Sequence, residues 1–393
     1  MNHTQPLPPQ WDRLQQRALL VGVVSLGLCL GGAWWQPAQF FHSYLLAYLF
    51  WLGIALGSLA IVMLHHLTGG AWGLIIRRTL EASSRTLPLL AVLFVPLLFG
   101  LADLYSWARP DLVAGDELLQ HKSPYLNVPF FVLRAILYFA VWLGLAYWVN
   151  QWSLRQDHTA DPALARRLET LSGPGLVLYG GTVTFASFDW GMSLEPHWFS
   201  TIYGVMFMVG HALTALAFAI IVVMLLVERQ PFVAVVTPAH LLDLGNLLLA
   251  FVVLWAYIAF SQFLIIWSGN LVEEIPWYMR RLAGGWQWIA VFLLVFHFAL
   301  PFLLLLSRRT KRNMRLLATV AVGLLVVHLL DVLWLVAPAF HQTGLSIHWM
   351  DIVAPIGIGG VWLARFIQQF KARALLPLHD PYLEDAFGHL RTV

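Results

Sequence analysis

The sequence predicts an all-α polytopic membrane protein, and three observations carry that prediction. Of its 393 residues 60% are hydrophobic and only 11% are charged, more apolar surface than one soluble core hides and a proportion that a bilayer accepts directly. The apolar residues fall in runs of about 20 or more, the length an α-helix needs to cross the hydrocarbon. Lys and Arg gather in a few of the short connections between those runs, as they do in loops retained in the cytoplasm.

Taken in order, the runs place ten spans at about 17–36, 43–67, 86–107, 128–151, 173–193, 200–228, 240–268, 283–307, 314–337 and 347–370. The first follows a polar, Pro-rich start, MNHTQPLPPQWDRLQQR, and is too long, without a small-residue cleavage site, to be a secretory signal. The second carries Gly53 and Gly57, which let another helix come close. Pro88, Pro96 and Pro129 predict kinks in or near the third and fourth. The fifth holds Asp189 near its end, and the sixth restates the second: SYLLAYLFWLGIALGSLA from Ser43 and STIYGVMFMVGHALTALA from Ser200 align without gaps and share seven of eighteen residues, Gly53 and Gly210 among them. The seventh begins with His240 and Asp243, the eighth carries His297, the ninth His328 and Asp331, and the tenth opens on Asp351.

A repeat offset by four spans keeps both copies in one orientation. The expected architecture is therefore a single membrane domain over 1–393, with four-helix bundles at 43–193 and 200–337 and flanking helices at 17–36 and 347–370. The longest connections, 108–127 and 152–172, are read as loops, too short for a soluble domain. Seventeen of the 23 Lys and Arg, Arg77, Arg78 and Arg391 among them, fall on one side of this arrangement, four on the other and two inside spans. Both termini are then expected in the cytoplasm.

Asp189 to Gly204, DWGMSLEPHWFSTIYG, sits between the fifth and sixth spans on the outer side and packs Asp189, Glu195 and His197 between Trp190 and Trp198. Charge in such a place is costly unless it is used. Burial of Asp189 would raise its pKa and leave it able to hold a proton. At about 1.5 Å of depth per residue, His211, His297 and His328 lie near mid-membrane, Asp243 near the inner face, and Asp103, Arg134, Asp189, Asp331 and Asp351 toward the outer face. Asp103 and Arg134 are expected to form a structural ion pair. His328 and Asp331, three apart, share a helix face and form an acid–base unit. Asp189, His211, Asp243, His297, His328, Asp331 and Asp351 are the candidates for a proton route, since several carboxylates with few cations cannot all ionise in low dielectric.

Other chemistries are excluded. The one cysteine, Cys29, rules out a cysteine-bound iron–sulfur cluster, a structural zinc site and an internal disulfide. No span carries the paired histidines of a di-haem cytochrome b, and His65 and His66 are adjacent at a helix end. There is no Walker A motif or dinucleotide fingerprint. The net charge of +3 is a topology signal and implies no nucleic-acid partner. No metal ligand set and no catalytic residue is predicted.

Three stretches, FHSYLLAYLFWLGIALGSLAIVMLHHLTGGAWG from Phe41, FDWGMSLEPHWFSTIYG from Phe188 and HLLDLGNLLLAFVVLWAYIAFSQFLIIWSGNLVEEIPWY from His240, together with the bundle pattern, resemble the polysulfide-reductase-like (NrfD-like) membrane subunits of bacterial alternative complex III, a quinol:cytochrome c oxidoreductase. The chain is similar to the shorter, ActF-like, of the two such subunits. The resemblance implies a respiratory subunit of the bacterial inner membrane that binds no cofactor itself. Its partners would be a sister quinol-binding subunit, an iron–sulfur protein, a multihaem cytochrome c and other small membrane subunits, so that quinol, haem c and iron–sulfur clusters belong to those chains. By that analogy the buried polar residues serve proton translocation. Three other readings stand beside it: quinol oxidation by this chain, with Asp189, Trp190, His197 and Trp198 forming the slot; a secondary transporter; and a purely structural subunit whose polar residues hold helices together.

Overall fold

In hydrocarbon every backbone N–H and C=O must be bonded within its own segment, and the apolar runs accordingly form helices. A computed structural model of the chain describes residues 9–159, 161–341 and 344–380; the first eight residues and Arg391, which bear on the topology expected from the sequence, lie outside them. The long helices are α1 (Pro9–Ala33), α2 (Pro37–Thr68), α3 (Ala71–Phe99), α4 (Val128–His158), α5 (Pro162–Trp190), α6 (Tyr203–Leu226), α7 (Pro238–Gly269), α8 (Trp286–Leu306), α9 (Met314–Ala339) and α10 (Met350–Lys371). All but α5 are long and apolar enough to cross a membrane, nine among the described residues. In α5 the stretch after Glu169 is diluted by Gly173, Pro174, Gly175, Gly180, Gly181, Thr182 and Thr184. No strand occurs among the described residues.

Helix starts are set locally. Asn127, Asp161 and Asn313 accept backbone N–H groups in the first turns of α4, α5 and α9. Thr237 and His240 cap the start of α7 reciprocally. Pro stands in the first turn of α2, α4, α5 and α7, where its missing N–H costs nothing.

Helices α2 to α5 pack around one another as one four-helix group, and α6 to α9 as a second; α2 and α6 meet along their length at the centre. Helix α1 lies along α10, which leans on α2. Gly22 makes the α1–α10 contact close: a Cβ there would stand 2.6 Å from the backbone nitrogen of Val361.

Two expectations change. The segment 152–172, read as a loop, is mostly helix, because α4 continues to His158 and α5 begins at Pro162. A window tuned to lipid thickness stops where hydropathy falls, whereas Asp161 and Pro162 start a helix in any solvent. Arg77 and Arg78, read as loop charges, are buried in α3. Both pair with the fully buried Glu81, at 3.0 and 2.6 Å. Arg77 also pairs with Asp380, and Arg78 with Asp157. Arg373 reaches Glu81 at 3.6 Å, so this cluster fastens the segment after α10 against α3 and α4.

Candidate functional site

The site is built where the two four-helix groups touch. Glycine makes the approach possible: a Cβ on Gly57 would stand 1.9 Å from the carbonyl oxygen of His211, and one on Gly53 would stand 2.6 Å from its imidazole. One residue along α6, a Cβ on Gly210 would meet the His328 ring at 2.5 Å. The glycines shared by the sequence repeat thus seat two of the three histidines expected near mid-membrane.

Helix α8 supplies the third. Residues Leu294–Ala299 form a π-helical turn within it, followed by Pro301. A proline has no N–H for the carbonyl four residues back, and its ring crowds that carbonyl; here that residue is His297. Widening of the helix at this point follows, and such turns concentrate at functional sites.

His297 is fully buried, its ring 4.1 Å from that of Trp255 on α7 and 5.5 Å from that of His328 on α9. Trp255 Nε1 donates to Asp331 Oδ2 at 3.0 Å. His328 Nδ1 stands 3.3 Å from the same oxygen, yet it is not directed at it as a hydrogen bond and has no other partner. Both ring nitrogens of His297 and Nδ1 of His211 also lack partners among the described residues. Each buried polar atom left so costs about 1–3 kcal/mol, a cost that an occupant of the site would relieve. A cavity of about 10 Å³, close to the room one water needs, is lined by His211, His328, Asp331, Gly53 and Phe207. On its other side His211 borders a second small cavity with Trp142 and Trp190 of the first group.

The remaining predicted residues lie apart from this centre. Asp189, fully buried, accepts from Arg134 through both oxygens at 2.8 Å and from the Tyr138 hydroxyl at 2.7 Å. The expected Asp103–Arg134 pair is therefore replaced by Asp189–Arg134, and Asp103 is exposed beyond the end of α3. Depth along two neighbouring helices was compatible with either partner; the rotation of α5 decides. Doubly bonded to a guanidinium, Asp189 is placed as its counter-ion, apart from the histidine cluster. Asp351 accepts from Ser43 at 2.6 Å, from Gln39 at 3.2 Å and from the His348 backbone N–H at 2.8 Å, and so ties the N-terminal end of α10 to α2. Asp243 is exposed on α7.

Nor do Asp189, Trp190, His197 and Trp198 line one slot. Trp190 is packed in the first group against Phe94, Phe139 and Trp142. Trp198 stacks on Trp277 at 4.6 Å. His197 is exposed and bonds Asp116 at 2.7 Å, between the loop after α5 and the segment before α4. Asp116 is held below the ordinary aspartate range, first by the Leu119 backbone N–H and further by that imidazole. Glu195 is clamped by Arg280 at 2.6 Å and Arg281 at 2.8 Å. Of the four, Trp198 alone borders the apolar outer cleft of about 320 Å³ that Tyr125, Phe188 and Met192 also line.

Sequence reasoning missed Trp255, Tyr138 and the π-helical turn. Pro301, four residues after His297 in an otherwise uninterrupted apolar run, was the signal for the last. No family model matches the chain, and no curated protein matches it.

Proposed function

We propose that this chain is a membrane subunit of a quinol-oxidising respiratory complex of the alternative complex III type, contributing a buried proton route and a seat for partner chains that carry the redox groups. The observation that supports it is the convergence of His211, His297, His328 and Asp331 near the contact of the two helix groups, with ring nitrogens unpartnered among the described residues and a water-sized cavity bordered by His211, His328 and Asp331. Imidazole is the side chain whose proton affinity suits transfer near neutral pH, and ionisable residues clustered inside a membrane are costly enough to point to a function such as a proton relay. His211, which borders the cavities of both groups, is the hand-over point. In this reading all ten long helices cross the inner membrane of a bacterium, with both termini in the cytoplasm.

Asp331→Leu and His328→Leu in the reconstituted complex test it. Electron transfer and assembly are expected to persist while protons moved per electron fall. An unchanged ratio in both variants would sink the proton route and leave a seat for partners.

A further inference from the structure

We propose that His297, His328 and Asp331 also bind a divalent transition-metal ion of the zinc type. The inference goes beyond the proton route and does not depend on it, because it stands on the donor set. Two imidazoles and one carboxylate offer ligand atoms that all lie within 4.8 Å of one another, and all three residues are buried. Metal–ligand distances of about 2.0–2.2 Å in a tetrahedral site put neighbouring donors about 3.3–3.5 Å apart. His328 Nδ1 and Asp331 Oδ2 are 3.3 Å apart and not hydrogen-bonded to each other, as expected of two donors aimed at a shared third atom.

His297 completes the set with an unpartnered nitrogen, so no competing hydrogen bond holds the ring back from closing on an ion. Trp255, donating to Asp331 Oδ2 at 3.0 Å, is the outer partner that fixes how the carboxylate is presented. The cavity of about 10 Å³ beside His328 and Asp331 leaves space for a small fourth ligand. Nitrogen and oxygen donors without thiolate suit zinc, cobalt or manganese better than copper(I); Cys29, on α1, is not part of this cluster. Three lone pairs held by an ion are closed to a proton, so a bound metal would act as a brake on the route proposed above.

The full chain, purified without a histidine tag and loaded with Zn²⁺ or Co²⁺ alone, tests this by metal analysis and by the visible spectrum of tetrahedral cobalt. About one ion per chain is expected. Affinity should fall more than about tenfold in His297→Phe and in Asp331→Asn, and by roughly tenfold in Trp255→Phe, which keeps every ligand. Size-exclusion elution and helical circular dichroism show whether each variant folds, and the metal content of the unmodified chain is decisive without them. Metal well below one per chain, or equal binding in wild type and ligand variants, overturns the proposal. Metal content is read on the isolated chain without turnover, so failure of this proposal leaves the proton route to be decided by the ratio measured in metal-free complex.

Discussion

Arg134 and Asp189 show how much one side-chain rotation decides. Both are buried, and the guanidinium spans both carboxylate oxygens while also donating to the Tyr125 carbonyl at 2.9 Å. A buried ion pair gains little over apolar packing, but removing one partner strands the other charge, at about 3–5 kcal/mol. Arg134→Leu and Asp189→Leu should each destabilise the chain by that amount. The double variant should fall between either single and wild type, since it leaves no unpaired charge and strands only neutral partners, the Tyr138 hydroxyl and the Tyr125 carbonyl. Denaturation in detergent–SDS mixtures measures all four; a double variant as unstable as the sum of the singles would refute the pairing. The presence of buried charge was legible in the sequence, because Asp and Arg inside apolar runs are rare. The partner was not: Asp103 and Asp189 are both within reach in depth, and depth alone says nothing about which way a helix faces.

Helix α8 carries the corresponding lesson for an element. Its hydropathy predicts a plain apolar span, and the irregular turn over Leu294–Ala299 is invisible to any window that averages. The local cause, Pro301 against the His297 carbonyl, is nonetheless a sequence feature that single-residue reasoning can reach. Phe296 lies in this turn and faces outward, 41% exposed. Removing it takes out the surplus residue and lets the rod return to regular α-geometry, which turns the segment after it by about 100° relative to the segment before. The phenylalanine deletion should therefore lower protons moved per electron to the level of His297→Phe, with helical circular dichroism preserved. If the deletion leaves proton transfer at the wild-type value, the turn does not aim His297 at the cluster.

For the whole molecule the repeat was the most informative part of the sequence. It aligned α2 with α6, and these are the helices that meet at the centre. It aligned Gly53 with Gly210, and each receives a histidine ring. The two aligned stretches begin at different points of their helices, since Ser43 lies within α2 whereas Ser200 precedes α6, which begins at Tyr203. Less legible was the charge cluster on α3, because Arg77 and Arg78 look alike to a topology rule whether they face water or Glu81. The two four-helix groups touch through backbone at Gly57, where an added Cβ would sit 1.9 Å from the His211 carbonyl oxygen and 2.3 Å from its carbon. Backbone cannot swing aside as a side chain does, so Gly57→Ala must push α2 from α6 over neighbouring turns. Forcing one methyl into close packing costs about 1–3 kcal/mol or more. Gly27→Ala on α1, where a Cβ meets nothing within 4 Å, should be neutral or slightly stabilising. Spin labels on the N-terminal ends of α2 and α6 should report a wider separation in Gly57→Ala than in wild type or Gly27→Ala, with a lower unfolding midpoint. An unaltered separation and midpoint would mean that the two groups are not held in register by this contact, and a histidine seated by it could not serve as their common hand-over point.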